Sequence, residues 1–153
     1  MARINLDNAA KYIHGQPPQA LDGLFSVVEA KCKLLNLVPG RRDNVGVGTG
    51  GEAGGSVHGI IRFVEEVQDI TEADKTEFTV DPADEYVAGD PQSVIDAKAD
   101  RRRQAAERER VRKNTLAQKE ADHAALRKLY GTLLARFSSA GYTPKKPSGV
   151  LGG

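Results

Sequence analysis

Asp90-Pro91-Gln92-Ser93-Val94-Ile95-Asp96-Ala97-Lys98 opens a stretch with no further glycine or proline until Gly131, and its helical pattern continues to Phe137. Asp90 reads as an N-cap and Pro91 as the first helical residue, where a missing N–H costs nothing. Gly141 and Pro144 read as the stop. Unbroken, roughly 47 residues at ~1.5 Å each make a rod of about 70 Å. A globular domain of this size is narrower than that. The stretch therefore sets the expected fold class: mainly α, a small helical base carrying one long charged helix over 91–140, with a glycine-rich loop and one short strand.

The long helix has three zones. Val94 and Ile95 give an apolar start. From Ala97 to Arg110 no apolar residue is larger than alanine, and the charges run Arg101-Arg102-Arg103 and Glu107-Arg108-Glu109-Arg110. Farther on, Leu126, Leu129, Leu133 and Phe137 step by 3, 4 and 4 along one face, which calls for a partner helix.

That partner is sought upstream, in the N-terminal segment 1–40. Leu21, Leu24, Phe25, Val28, Cys32 and Leu35 fall at i, i+3, i+4, i+7, i+11 and i+14, one continuous stripe over a helix from Gln19 to Leu37. Pro39-Gly40 reads as its stop. Leu21, Leu24, Phe25, Val28 and Leu35 are expected to pack against Leu126, Leu129, Leu133 and Phe137. Before this helix, Asp7 to Gly15 reads as a short helix capped by Asp7, and Gln16-Pro17-Pro18 as a break.

Between the helices, 41–58 is a glycine-rich loop, with six glycines from Gly46 to Gly55. The connecting segment 59–90 is acidic. Within it Ile60, Phe63, Val64, Val67 and Ile70 suggest a helix, and Thr76-Glu77-Phe78-Thr79-Val80 alternates like a strand. The tail, 141–153, lacks periodicity and reads as extended.

The net charge of +1 conceals an asymmetry. Residues 1–90 hold eight basic and fifteen acidic side chains; residues 91–153 hold fourteen basic and six acidic. Acid concentrates from Arg62 to Asp90 and base from Lys98 to Lys119. Such a split points to a charged partner or to complementary halves, within one subunit or between neighbours. Arg101, Arg102, Arg103, Arg108 and Arg112 are the candidate interaction residues, with Glu65, Glu66 and Asp69 as acidic counterparts.

Catalytic motifs do not hold up. Gly46-Val47-Gly48-Thr49-Gly50-Gly51 has the GxGxxG spacing, but a dinucleotide site needs a strand before it. A helix precedes it here, so the loop is expected to bind no nucleotide and to order on assembly. His14, His58 and His123 lack zinc-ligand spacing. The acidic segment lacks the EF-hand pattern. No serine sits in a nucleophile elbow. Cys32, the single cysteine, lies on the apolar stripe and reads as a small core residue. No cofactor and no metal are expected.

Arg101 to Lys113 has the charge of a zipper-type basic region. A basic zipper needs an asparagine placed to read bases and several leucine heptads behind it. Asn114 follows the basic run, and the leucine seam spans little more than one heptad, so that likeness does not carry over. No run of ~18 apolar residues predicts a membrane span, and the N-terminus lacks a signal-peptide stretch. The expected setting is cytoplasmic or inside an assembled particle. The expected function is non-enzymatic: a structural or assembly protein forming a homo-oligomer or binding other structural subunits. A small phage virion component, such as a connector, adaptor or internal protein, fits the size. Nucleic-acid binding through Lys98 to Lys119 is the alternative. A regulator acting through the acidic segment is a third reading.

Overall fold

The computed structural model describes residues 4–37 and 57–144. Five α-helices occur among them: α1 (Leu6–His14), α2 (Asp22–Leu34), α3 (Val57–Glu66), α4 (Glu72–Lys75) and α5 (Gln92–Ala140). Single 3₁₀ turns lie at Pro18–Leu21 and Pro82–Asp84. The fold is mainly α, with no β-strand among the described residues. The Pro39-Gly40 stop, the Gly46–Gly51 motif and the end of the tail from residue 145 lie outside the described residues.

The chain divides into two compact units. One is Met1–Asp69 with Ala121–Gly153, the other Ile70–Glu120. Helix α5 contributes to both.

In the first unit, α1 starts two residues earlier than its sequence suggests. Asn5, not Asp7, is the N-cap, and its side chain accepts the Asn8 N–H at 3.0 Å. Either residue type suits the position; Asn5 wins because the helix must begin early enough to bury Leu6 with Ala9 and Ile13. Proline at the first position of the Pro18–Leu21 turn leads into α2. Helix α2 ends before Pro39. Asn36 takes a left-handed φ of +58°, the Leu37 N–H donates to the Cys32 carbonyl at 2.8 Å, and the Asn36 N–H donates to the Lys33 carbonyl at 3.2 Å. These two bonds make a Schellman stop, in which asparagine stands where glycine is commonest. They also turn Leu37 into the core, where it is 4% exposed. Helix α3 takes in Val57 and His58, which the sequence assigned to the loop, and ends at Glu66, short of Ile70.

One apolar cluster fills this unit. Leu21, Leu24, Phe25, Val28, Cys32 and Leu35 meet Ile60, Phe63 and Val64 from α3, Val67 just after it, and Leu126, Leu129, Tyr130, Leu133 and Phe137 from α5. The Phe25 ring stacks on Tyr130 at 5.5 Å and meets the edge of Phe137 at 5.2 Å. Polar ends of the core are tied. Arg136 Nη2 donates to the Gln16 carbonyl at 2.8 Å, and the Tyr142 hydroxyl donates to Asp22 Oδ2 at 2.8 Å. Helix α5 stops at a second Schellman motif. Gly141 has φ +63°, and the Tyr142 N–H reaches the Phe137 carbonyl at 2.9 Å. The Phe137–Tyr142 ring contact at 5.7 Å is the apolar closure that accompanies such stops.

In the second unit, residues 70–90 form a strap along the first part of α5. The strand expected at Thr76 to Val80 does not form. A lone strand has no ladder partner, and helix side chains take its place: the Phe78 N–H donates to Glu109 Oε1 at 2.8 Å. At the far end of the strap the chain reverses in a turn closed by the Asp90 N–H and the Val87 carbonyl at 3.2 Å. Gly89, at φ +99°, supplies the left-handed residue this turn needs. The α5 ladder begins one residue later than expected, with the Ile95 N–H donating to the Pro91 carbonyl at 3.0 Å. The Asp90 carboxylate is thereby available to Lys98.

Candidate interaction surface

Within the second unit, four carboxylates tie the strap to α5. The first is Asp74, set by local sequence. Thr71-Glu72-Ala73-Asp74 forms a capping box: the Thr71 N–H donates to Asp74 Oδ2 at 2.8 Å, and the Asp74 N–H donates to Thr71 Oγ1 at 3.2 Å. This pins the carboxylate, which then accepts Lys119 Nζ at 2.6 Å. The Asp74 carbonyl accepts Arg112 Nη1 at 2.8 Å. The Lys119 hydrogen bond, followed by the Thr71 N–H, holds the Asp74 carboxyl down at about 2.

The second is Glu109, on α5 itself. Arg112 grips it with two parallel bonds, Nε to Oε1 at 2.9 Å and Nη2 to Oε2 at 2.6 Å. Oε1 also accepts the Phe78 N–H. The Arg112 fork first, and the Phe78 N–H second, hold the Glu109 carboxyl at about 2. Such bidentate, charge-assisted bonds fix direction as well as charge.

The third is Asp84. Its Oδ1 accepts Arg101 Nε at 2.6 Å, and its carbonyl accepts Arg102 Nη1 at 2.6 Å. Asp81 shapes this corner, its Oδ1 accepting the Ala83 N–H at 2.9 Å. The fourth is Asp90, whose Oδ2 accepts Lys98 Nζ at 2.7 Å.

Arg101, Arg102 and Arg112 thus meet oxygen atoms of their own chain. Arg103 pairs with Asp100 and Arg110 with Glu107, both on the outer side of α5. Arg108 is exposed. The acidic counterparts sought at Glu65, Glu66 and Asp69 lie in the first unit, where Glu66 pairs with Arg62 at 3.4 Å and the Glu65 carbonyl accepts Lys31 Nζ at 3.3 Å. Within the second unit, Asp74, Asp84 and Asp90 pair with the basic side chains of α5. The threonine and aspartate three apart at Thr71 and Asp74 are a readable sequence signal for the first. Asp84 and Asp90 carry no comparable local signal.

The strap leaves apolar side chains in water. Phe78, Val80, Tyr86 and Val87 are exposed, Tyr86 at 63%, as is Val111 on α5. The reactive side chains of the other unit are occupied in its core. Cys32 is 1% exposed, and burial pushes its thiol up to about 11. His123 is buried, with Nε2 2.8 Å from the Gln68 carbonyl. Among the described residues no group of three or more His, Cys, Asp or Glu side chains is placed to hold a metal ion, and no helix is long and apolar enough to cross a membrane. No protein-family model, curated protein or solved structure matches this chain.

Proposed function

We propose that this chain is a non-enzymatic structural protein that works as a subunit of a larger assembly, a homo-oligomer or a particle such as a virion. The observation that carries the reading is the charge balance of the second unit. Ile70 to Glu120 holds ten basic and twelve acidic side chains, and the basic face of α5 is already taken up by strap oxygens. A polyanion binder needs uncompensated cations, because counterion release drives its affinity. Here the exposed remainder is mixed charge together with Phe78, Val80, Tyr86 and Val87, a composition that favours contact with protein.

Light scattering of the purified chain, with and without nuclease, tests this. The expected result is a mass above the monomer that nuclease leaves unchanged. A monomer at all concentrations defeats self-assembly, and a nuclease-sensitive mass transfers the basic helix to the nucleic-acid reading.

A further inference from the structure

Of residues 70–90, only Ile70, Asp74, Asp84 and Asp90 are of intermediate exposure, and the others are exposed. The strap is therefore anchored by aspartates, not by a hydrophobic seam. Its ties run in strict antiparallel order: Asp74 to Lys119 and Arg112, Phe78 to Glu109, Asp84 to Arg101 and Arg102, Asp90 to Lys98. From Lys98 to Lys119 the helix advances about 32 Å. The sixteen steps from Asp74 to Asp90 reach about 54 Å when extended. The strap thus holds slack in its turns, and it can leave α5 without pulling the helix apart.

Glu109 decides what the covered face recognises. It stands among Lys98, Arg101, Arg102, Arg112 and Lys119, and it is aimed at a main-chain N–H. A phosphodiester backbone has no such donor, and its negative charge is repelled by that carboxylate. An extended peptide offers the N–H for Glu109, carbonyl oxygens for Arg102 and Arg112, and carboxylates for Lys98, Arg101 and Lys119.

We propose that the Lys98–Lys119 face of α5 is a docking track for an extended acidic peptide, occupied in this chain by its own strap and opened when a partner protein presents a segment of the same chemistry. The inference rests on the assembly reading and names the chemistry of its partner. The two fail separately, because one is read by solution mass and the other by peptide binding.

A labelled peptide of residues 70–90 is the probe, titrated by fluorescence anisotropy into the full chain. Tethering gives the resident strap an effective concentration in the ~mM range, so wild type is expected to bind the peptide weakly. In the full chain carrying Asp74→Asn, Asp84→Asn and Asp90→Asn, the peptide is expected to bind at least tenfold more tightly. Adding Glu109→Leu to that variant, which removes the acceptor for the peptide N–H and the oxygens that orient Arg112, is expected to reverse most of the gain. A variant with native helicity that shows no saturable peptide binding overturns the proposal, as does tighter binding of single-stranded DNA than of peptide. Should the variant not fold, the Phe78 amide resonance of wild type under excess peptide serves instead. Displacement from Glu109 shifts it, and an unmoved resonance at saturating peptide overturns the proposal.

Discussion

The two parts of α5 share one spacing and meet different surroundings. Beyond residue 121 the inward positions at steps of three and four are His123, Leu126, Tyr130, Leu133 and Phe137, all buried. Before it, the same steps carry Lys98, Arg102, Ala105, Glu109, Arg112, Leu116 and Lys119, all of intermediate exposure. The first set, apart from His123, joins a cluster fed by three other segments of chain. The second is covered by a strap attached through carboxylates and carbonyls. Apolar burial contributes roughly 25 cal/mol per Å² and has no direction. Polar ties replace bonds to water, so their net contribution is small while their geometry is demanding. One unit is held by energy; the other gains register. Segments with few buried apolar contacts are also those that open most readily.

The sharpest way to break this contrast is to delete the same side chain from both parts. Leu133→Ala, at a position of 0% exposure, is expected to cost about 2–5 kcal/mol in urea unfolding. Leu116→Ala, at a half-covered position, is expected to cost less than half as much. Equal losses would mean that the second unit hides a core of its own.

Next comes the stop of α5. Gly141→Ala forces a β-carbon into a left-handed position at φ +63°. It is expected to lower stability by about 1–2 kcal/mol and to loosen Tyr142 from Phe137, seen as a change in near-ultraviolet dichroism. Gly131 supplies the opposite sign. It is exposed within α5, and a β-carbon there meets nothing within 4 Å. Gly131→Ala is expected to stabilise by about 0.5–1 kcal/mol, raising the thermal midpoint. A loss instead would show that this helix position is not open to solvent.

The smallest effect on global stability belongs to the strap, and acid reveals it. Asp74 and Glu109 sit at about 2 in the folded chain, below ordinary values of 3.8 and 4.5. Their contribution is complete above the ordinary values and is lost as pH falls through about 2. The groups facing them are Lys119, Arg112, Lys113 and the Thr71 and Phe78 N–H groups. The Phe78 amide shift is therefore expected to stay flat from neutral pH to about 5 and to move only on further acidification. A transition near neutral pH would remove Glu109 as its partner.

Much of the first unit was legible because its code is apolar periodicity. Leu21 to Leu35 and Leu126 to Phe137 repeat at helical intervals, and large aliphatic side chains on one face have few places to go. The strap was not legible for the matching reason. Its anchors are aspartates, and the positions of α5 that they meet are lysines and arginines, which read as a solvated surface until a partner is seen. Thr71 and Asp74 carried a capping signal in plain view. Thr76 to Val80 carried a strand pattern that no second strand was present to complete.

The sequence by itself determined that the chain is helical, that one helix runs from just after Asp90 to Gly141, and which of its faces is apolar. Backbone hydrogen bonding and hydrophobic spacing are local, and they act before any contact is made. Only the tertiary structure decided that Asp74, Asp84 and Asp90 of the same unit lie against the basic face. Charge carries no periodicity of its own. Coulomb attraction acts between any opposite pair, and which carboxylate lies within 3 Å of which cation depends on a capping box, a 3₁₀ corner and the turn at Gly89 that returns the chain along its own helix.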